Sequence, residues 1–259
     1  IDEHVGTDGR LRGAWAGSDG AAGRMTATAG LHNMPSEMRP AVAAEPGHSF
    51  VRADLGQIEP RVLAAVSGDA QLARAARADD MYLPVAAQLG VERDIAKVAV
   101  LGAMYGQTTG KGAEALRGLE REYPVAMGYL RAADEAAQGG RDLRTVGGRR
   151  IPMSVGEDRA QAATRGRYGR NAVVQGAAAE FFKTWAALVR ARGAKAGARI
   201  VLCLHDELIV HVETERATDA VAVLDACLTE AAVRWSPPGT ERVRFVADIG
   251  IIERWSEAK

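Results

Sequence analysis

The sequence has 259 residues, with 33 basic and 33 acidic side chains for a formal net charge of +0, 47% hydrophobic residues and 25% charged. Those proportions are globular, and no apolar run approaches the ~20 residues that a membrane-spanning helix needs, so neither a disordered chain nor a helical membrane protein fits. The charge balance argues against a strongly basic nucleic-acid binder, although a whole-chain sum can hide a polarised surface.

Two cysteines, Cys203 and Cys227, lie far apart without C-x-x-C or ligand-like His spacing. They give a zinc site little support and point to a reducing compartment, read as the cytoplasm. The N-terminal residues have neither the basic start nor the apolar core of a signal peptide. The chain opens without Met and is read as a piece of a longer protein.

Residues 10–48 are rich in Gly, Pro and polar side chains and read as loop. A strand is expected over Ser49–Asp54, followed by a helix over "IEPRVLAAVSG", where Pro60 fits the first turn because its missing N–H costs nothing there. From Gln71 to about Arg165 the periodicity is helical, with segments near 71–78, 81–89, 92–105, 111–118, 124–138 and 158–165. Residues 131–170 hold nine Arg against five acids, on charge alone a solvated face. A longer helix is expected from Asp158 through Arg190, and Gly166, Gly169 and Gly176 inside it each cost about 1 kcal/mol relative to Ala. Strands follow at 199–204 and 207–213, joined by His205 and Asp206 at hairpin spacing, then a helix over 214–234 and an alternating strand over 242–249. This order suggests an α+β fold: an antiparallel sheet with helices, interrupted by an all-helical insertion.

The stretch "RIVLCLHDELIVHV" sets Asp206 and Glu207 between two apolar runs. Adjacent carboxylates in such a setting are costly unless something pairs with them. Asp54 ends another strand, and two such hard oxygen ligands suit Mg²⁺. Asp is also an ordinary turn residue, and on this segment alone the two readings stand level.

Five stretches, in order, break that tie. "AAGRMTATAGLHNMP", "RADLGQIEPRVLAAVSGD", "RDIAKVAVLGAMYG", "GRYGRNAVVQGAAAEFFK" and "LHDELIV" resemble the motifs of family A DNA polymerases. The resemblance implies a right-hand polymerase architecture, with palm over 1–70 and 161–259, helical fingers over 71–160, and the thumb absent from these residues. It implies template-directed addition of deoxynucleotides to a primer 3′-hydroxyl, primer–template DNA and dNTP as partners, a monomer, and two Mg²⁺ ions, with Mn²⁺ as a substitute. The implied catalytic set is Asp54, Asp206, Glu207 and Lys97, with Asp54, Asp206 and the Leu55 carbonyl on metal.

Arg93, Lys97, Leu101 and Tyr105 recur at i+4 and share one helix face with its cations first, a pattern that an ordinary amphipathic helix also shows. The resemblance makes them nucleotide contacts, together with Gln57, Glu59 as the gate against a ribose 2′-hydroxyl, and Tyr82. Arg167, Asn171 and Gln175 form a second i+4 stripe. With Arg24, Asn33 and His205 they are the implied DNA contacts, the stripe meeting the minor groove, where acceptors are shared by all correct pairs.

Two positions depart from the family pattern. Leu101 stands where Phe or Tyr is usual, so stacking is lost, and Tyr82 replaces a His in the segment "DMY". Two further readings compete: a relative of single-subunit RNA polymerases, against which Glu59 argues, and a non-catalytic DNA-binding module, against which the two intact aspartates argue.

Overall fold

The structure is a computed structural model, and it describes residues 5–19, 22–27, 31, 33–106, 113–153, 159–237 and 243–258. In chain order the elements are β1 (Trp15–Ala16), β2 (Thr26–Ala27), β3 (His48–Gly56), α1 (Ile58–Ser67), α2 (Ala70–Ala75), α3 (Tyr82–Leu89), α4 (Arg93–Tyr105), α5 (Ala113–Glu122) and α6 (Pro124–Gln138). Then come β4 (Leu143–Arg144), β5 (Arg150–Ile151), α7 (Arg159–Gly193), β6 (Arg199–Leu204), β7 (Glu207–Glu213), α8 (Ala217–Trp235) and β8 (Val246–Ile252). The fold is α+β, as the sequence suggests. The expected element ends at Lys111, Gly112, Asp158 and Arg242 lie outside the described residues, as do parts of the "AAGRMTATAGLHNMP" stretch.

Two compact units emerge. The first comprises Ile1–Leu55, Phe181–Ala231 and Ala247–Lys259, and the second Gly56–Glu180 and Ala232–Val246. The first is built on a four-stranded sheet in the order β6-β7-β3-β8, with β3–β7 and β6–β7 antiparallel. Opposed residues share a sheet face, so the register sets Phe50 beside His211, Arg52 beside Ile209 and Asp54 beside Glu207 on one side. Apolar members of that side, Phe50, Ile209, Leu202 and Leu204, close a core with Leu31 and Trp255. The opposite side, Val51, Ala53, Leu208, Val210 and Val212, is wholly buried. Burial on both faces explains why the middle of β3, Phe50–Leu55, is apolar except at Arg52 and Asp54.

The expected loop over 10–48 also contains the two-residue pairing of β1 with β2 and a 3₁₀ turn over Ser36–Ala41. β8 starts four residues later than the sequence suggests. The reason lies in the backbone: Arg244 N–H donates to the Ala76 carbonyl, and its own carbonyl accepts from the Arg61 guanidinium, so this extended stretch has its partners outside the ladder.

The helical unit is organised by buried polar groups. Asp69 caps α2 by accepting from Gln71 and Leu72 N–H, both at 3.0 Å, and its other oxygen takes the Ala126 N–H from α6. Arg61 is fully buried and donates to the carbonyls of Gly56, Ala76, Ala78, Asp79 and Arg244 and to the Gln57 side chain. These bonds replace the water it loses. Two glycines of α7 have a packing reason. A Cβ on Gly169 would lie 2.4 Å from the Ala137 Cβ, and one on Gly166 would lie 2.0 Å from Asp134 Oδ1, so α7 approaches α6 more closely than any side chain allows.

Candidate functional site

In the sheet unit, antiparallel pairing brings three of the expected acids to one strand end. Asp54 lies directly across from Glu207, and Leu55 N–H donates to the Asp206 carbonyl at 3.0 Å. The turn between β6 and β7 consists of His205 and Asp206, with His205 at φ 51°. A left-handed φ at a non-glycine residue is uncommon and costs of order 1 kcal/mol, so the surrounding ladder holds the turn there. Among the described residues the other such case is Gln57, at φ 55°, just past β3. Both strained residues adjoin strand ends that carry the acids.

One guanidinium serves this end of the sheet. Arg52, whose side chain is 8% exposed, donates Nε to Glu207 at 2.8 Å, one Nη to Asp54 at 2.7 Å and the other to Asp248 at 3.1 Å. Its pairing does not balance the charge. Burial raises Asp54 to about 6, with the neighbouring Asp206 adding to it and Arg52 opposing it. Burial also raises Asp206, against the pull of His205 and Arg24. Carboxylates so placed carry more negative charge than the protein neutralises, and hard oxygen donors in that state suit a divalent cation of the Mg²⁺ type. Arg24, half-buried, is thus close enough to act on Asp206. Asn33 is exposed.

In the helical unit a second group forms around α4. Gln57 donates to Asp80 Oδ1 at 2.6 Å, and its own oxygen accepts from Arg61 and from Met81 N–H. Arg93 Nε donates to Asp80 Oδ2 at 2.5 Å, and its guanidinium lies 5.7 Å from the centre of the Tyr82 ring. Although burial works the other way, Arg93, the Tyr82 N–H and Gln57 hold the Asp80 carboxyl below its ordinary value. Tyr82 itself is 3% exposed, and burial followed by Asp80 pushes its hydroxyl up to about 12. Its ring therefore backs Arg93 as a neutral surface. Tyr105 donates its hydroxyl to Glu59 at 3.2 Å. Lys97 is exposed one turn from Arg93, and Leu101 is half-buried one turn further.

On α7, Arg167 is exposed and bonded to Thr164, while Asn171 and Gln175 are half-buried along the same stripe. Between them Arg170 donates to the Ala103 carbonyl at 2.6 Å, fixing the stripe to α4.

Sequence reasoning passed over Arg52, Asp248, Asp80 and Arg61. Arg52 could have been found, since period two puts it on the same sheet face as Asp54. Asp80 stood in the "DMY" segment, where the departure at Tyr82 drew attention instead. Arg61 gave no signal, because its partners are backbone carbonyls gathered from distant parts of the chain.

Comparison with known proteins places the chain in a family. The model of DNA polymerase family A matches residues 2–257. A DNA polymerase I of Chloroflexus aurantiacus is 32% identical over 248 residues, covering 83% of this chain and 26% of that protein. A thermostable DNA polymerase I of Thermus aquaticus is 29% identical over 281 residues, covering 97% of this chain and 33% of its own length. The chain thus spans about a quarter to a third of these two relatives. Among solved structures, the POL domain of Pol1 from M. smegmatis, in complex with DNA primer-template and dNTP, superposes with a TM-score of 0.83 at 26% identity, over 99% of this chain and 50% of that one. With the family model matching nearly end to end, the chain belongs to DNA polymerase family A.

Proposed function

We propose that this chain is the nucleotidyl-transfer core of a template-directed DNA polymerase, acting as a cytoplasmic monomer on primer–template DNA and dNTP. The observation that carries the reading is the cross-strand meeting of Asp54 with Asp206 and Glu207. The expected division into palm (1–70 and 161–259) and helical fingers (71–160) is part of this reading.

Asp54 and Asp206, with the Leu55 carbonyl, are the residues to hold Mg²⁺ or Mn²⁺. When bound, such ions supply positive charge to the attacking and leaving oxygens of an in-line displacement. The remaining work falls to positioning and electrostatics, from which phosphoryl transfer draws most of its catalysis. Arg52 holds the Asp54 and Glu207 carboxylates in place. Arg93 and Lys97 present cations to the triphosphate, and Tyr82 shields the apolar side of Arg93. Leu101 and Tyr105 meet the base. Glu59, steadied by the Tyr105 hydroxyl, occupies the space of a ribose 2′-hydroxyl, which favours a deoxynucleotide over the ribonucleotide alternative. Arg24, Asn33, His205, Arg167, Asn171 and Gln175 bind the primer–template, the last two with neutral amides that read shape in the minor groove.

Primer extension with Mg²⁺ by the protein and by its Asp206→Asn and Asp54→Asn variants tests the reading. Extension is expected from the parent and loss of at least a hundredfold from each variant. Equal extension by all three overturns it.

A further inference from the structure

At the end of β3 remote from Asp54, about 20 Å away at the usual rise per residue, three side chains form a separate group. Donor atoms of Glu45, His48 and His211 all lie within 4.8 Å of one another. We propose that they form a second, independent metal site, selective for a borderline first-row cation of the zinc type over Mg²⁺. Two imidazoles and one carboxylate are the donor set such ions prefer, whereas Mg²⁺ demands oxygen.

Two independent features of the backbone build the group. Glu45, Pro46, Gly47 and His48 make a tight turn: His48 N–H donates to the Glu45 carbonyl at 2.9 Å, Pro46 takes the second position, and Gly47 has φ +78°. This is the type II pattern, with the residue types that it requires, and it fixes its first and fourth residues close together. The β3–β7 ladder then supplies His211. His48 pairs with Glu213, which puts His211 at the diagonal position, within reach of a long side chain.

Two of the three donor groups already face electron-poor partners. His211 Nε2 accepts the Glu45 N–H at 3.3 Å, a long bond, so its lone pair faces the turn. His48 Nδ1 lies 3.3 Å from the Pro46 carbonyl, which suits an N–H there and leaves Nε2 as the ligand atom. Metal-binding histidines commonly donate their second nitrogen to a carbonyl in this way. The Glu45 carboxylate is held by Arg10, a cation in the position that a metal would share or take. The two rings stack 4.6 Å apart and 5° from parallel, an arrangement that two protonated imidazoles would resist. Donors on a tetrahedral ion sit about 3.3 Å apart. Binding therefore draws the three inward and pins the turn to the sheet.

Co²⁺ is the probe, titrated into the full chain in excess Mg²⁺, which saturates oxygen-only sites. The expected result is one equivalent of intense tetrahedral visible absorption, abolished by one equivalent of Zn²⁺. His48→Ala and His211→Ala lose it, and Glu45→Gln weakens Co²⁺ binding at least tenfold. Thermal melting verifies the fold, and His48→Ala and Glu45→Gln change surface residues, so the test stands if His211→Ala, beside Phe50, fails to fold. Primer extension in Mg²⁺ is unchanged in all three. Absence of tetrahedral absorption in the parent, or its persistence in His48→Ala, overturns the proposal. Neither outcome depends on whether the chain extends primers.

Discussion

Arg52 and Asp54, two residues apart on one sheet face, are joined by a 2.7 Å contact between guanidinium and carboxylate. The same guanidinium holds Glu207, whose side chain is 14% exposed. Removing one member of a buried pair leaves the other charge without compensation, at a cost of about 3 kcal/mol. Arg52→Ala is therefore expected to lower unfolding stability in urea by about that amount, and Arg52→Lys by less, because an ammonium keeps the charge but loses the fork. Added Mg²⁺ should raise the melting temperature of Arg52→Ala more than that of the parent, since the metal then meets carboxylates with no resident cation. Equal shifts would separate Arg52 from the acidic group.

Stability without metal should fall with pH through the Asp54 transition. Burial, then Asp206, raise the folded-state value to about 6 from an unfolded value near 3.8. Between these values the folded chain binds a proton that the unfolded chain has released, so this group lowers stability as pH rises and the penalty is complete above about 6. Urea melts in EDTA from pH 4.5 to 7.5 should show this slope, and Asp54→Asn should flatten it. An unchanged slope in the variant assigns the effect elsewhere.

Sugar selection should depend on two side chains. In the proposed reading Glu59→Ala opens the space facing the 2′ position, and it is expected to reduce the preference for dNTP over rNTP at least tenfold. Tyr105→Phe removes the 3.2 Å bond to Glu59, worth about 1 kcal/mol, so about fivefold is expected. Single-nucleotide incorporation kinetics measure both. A Glu59→Ala protein with the parental ratio would remove the gate.

Position 101 can be tested by gain. Leu101→Phe restores an aromatic face, and aromatic stacking adds about 0.5–1.5 kcal/mol beyond area. A two- to tenfold lower KM for dNTP is expected, with kcat little changed.

Close approach of α7 to α6 makes Gly169→Ala destabilising despite the better helix propensity of Ala. The added carbon would meet Ala137 Cβ, Leu143 Cδ1 and the Ala133 carbonyl, the last a backbone atom that cannot turn aside. A net loss of about 1–3 kcal/mol in thermal or urea unfolding is expected.

The hairpin of β6 and β7 was legible to the residue, because its two-residue turn interrupts two apolar runs and no other pairing hides both. Helices α1, α3, α4 and α6 were legible from Gly and Pro at their ends, whereas α2 stops at Ala75, short of the expected 78, and α5 runs through Gly118 to Glu122, past the expected 118. The long helix expected from Asp158 through Arg190 is α7, which runs from Arg159 to Gly193 through Gly166, Gly169 and Gly176 and takes in the segment expected over 158–165. β4 and β5, two residues each, are too short for any period to register. Asp54 and Asp206 stood out as acids in apolar surroundings. Arg52 was passed over although period two sets it beside Asp54; the carboxylates of Glu207 and Asp248 that complete its pairing come from β7 and β8, and only the register brings them in.

The two oxygens of Asp80 have unequal duties. Oδ1 takes bonds from Gln57 and the Tyr82 N–H, both anchored in the helical unit, whereas Oδ2 takes only the Arg93 Nε among these contacts. In the proposed reaction an arriving triphosphate competes for Arg93 alone. The carboxylate then behaves as a latch with one fixed jaw: when the guanidinium swings away Asp80 stays put, and when pyrophosphate departs the same seat is waiting, so each turnover resets to one starting geometry.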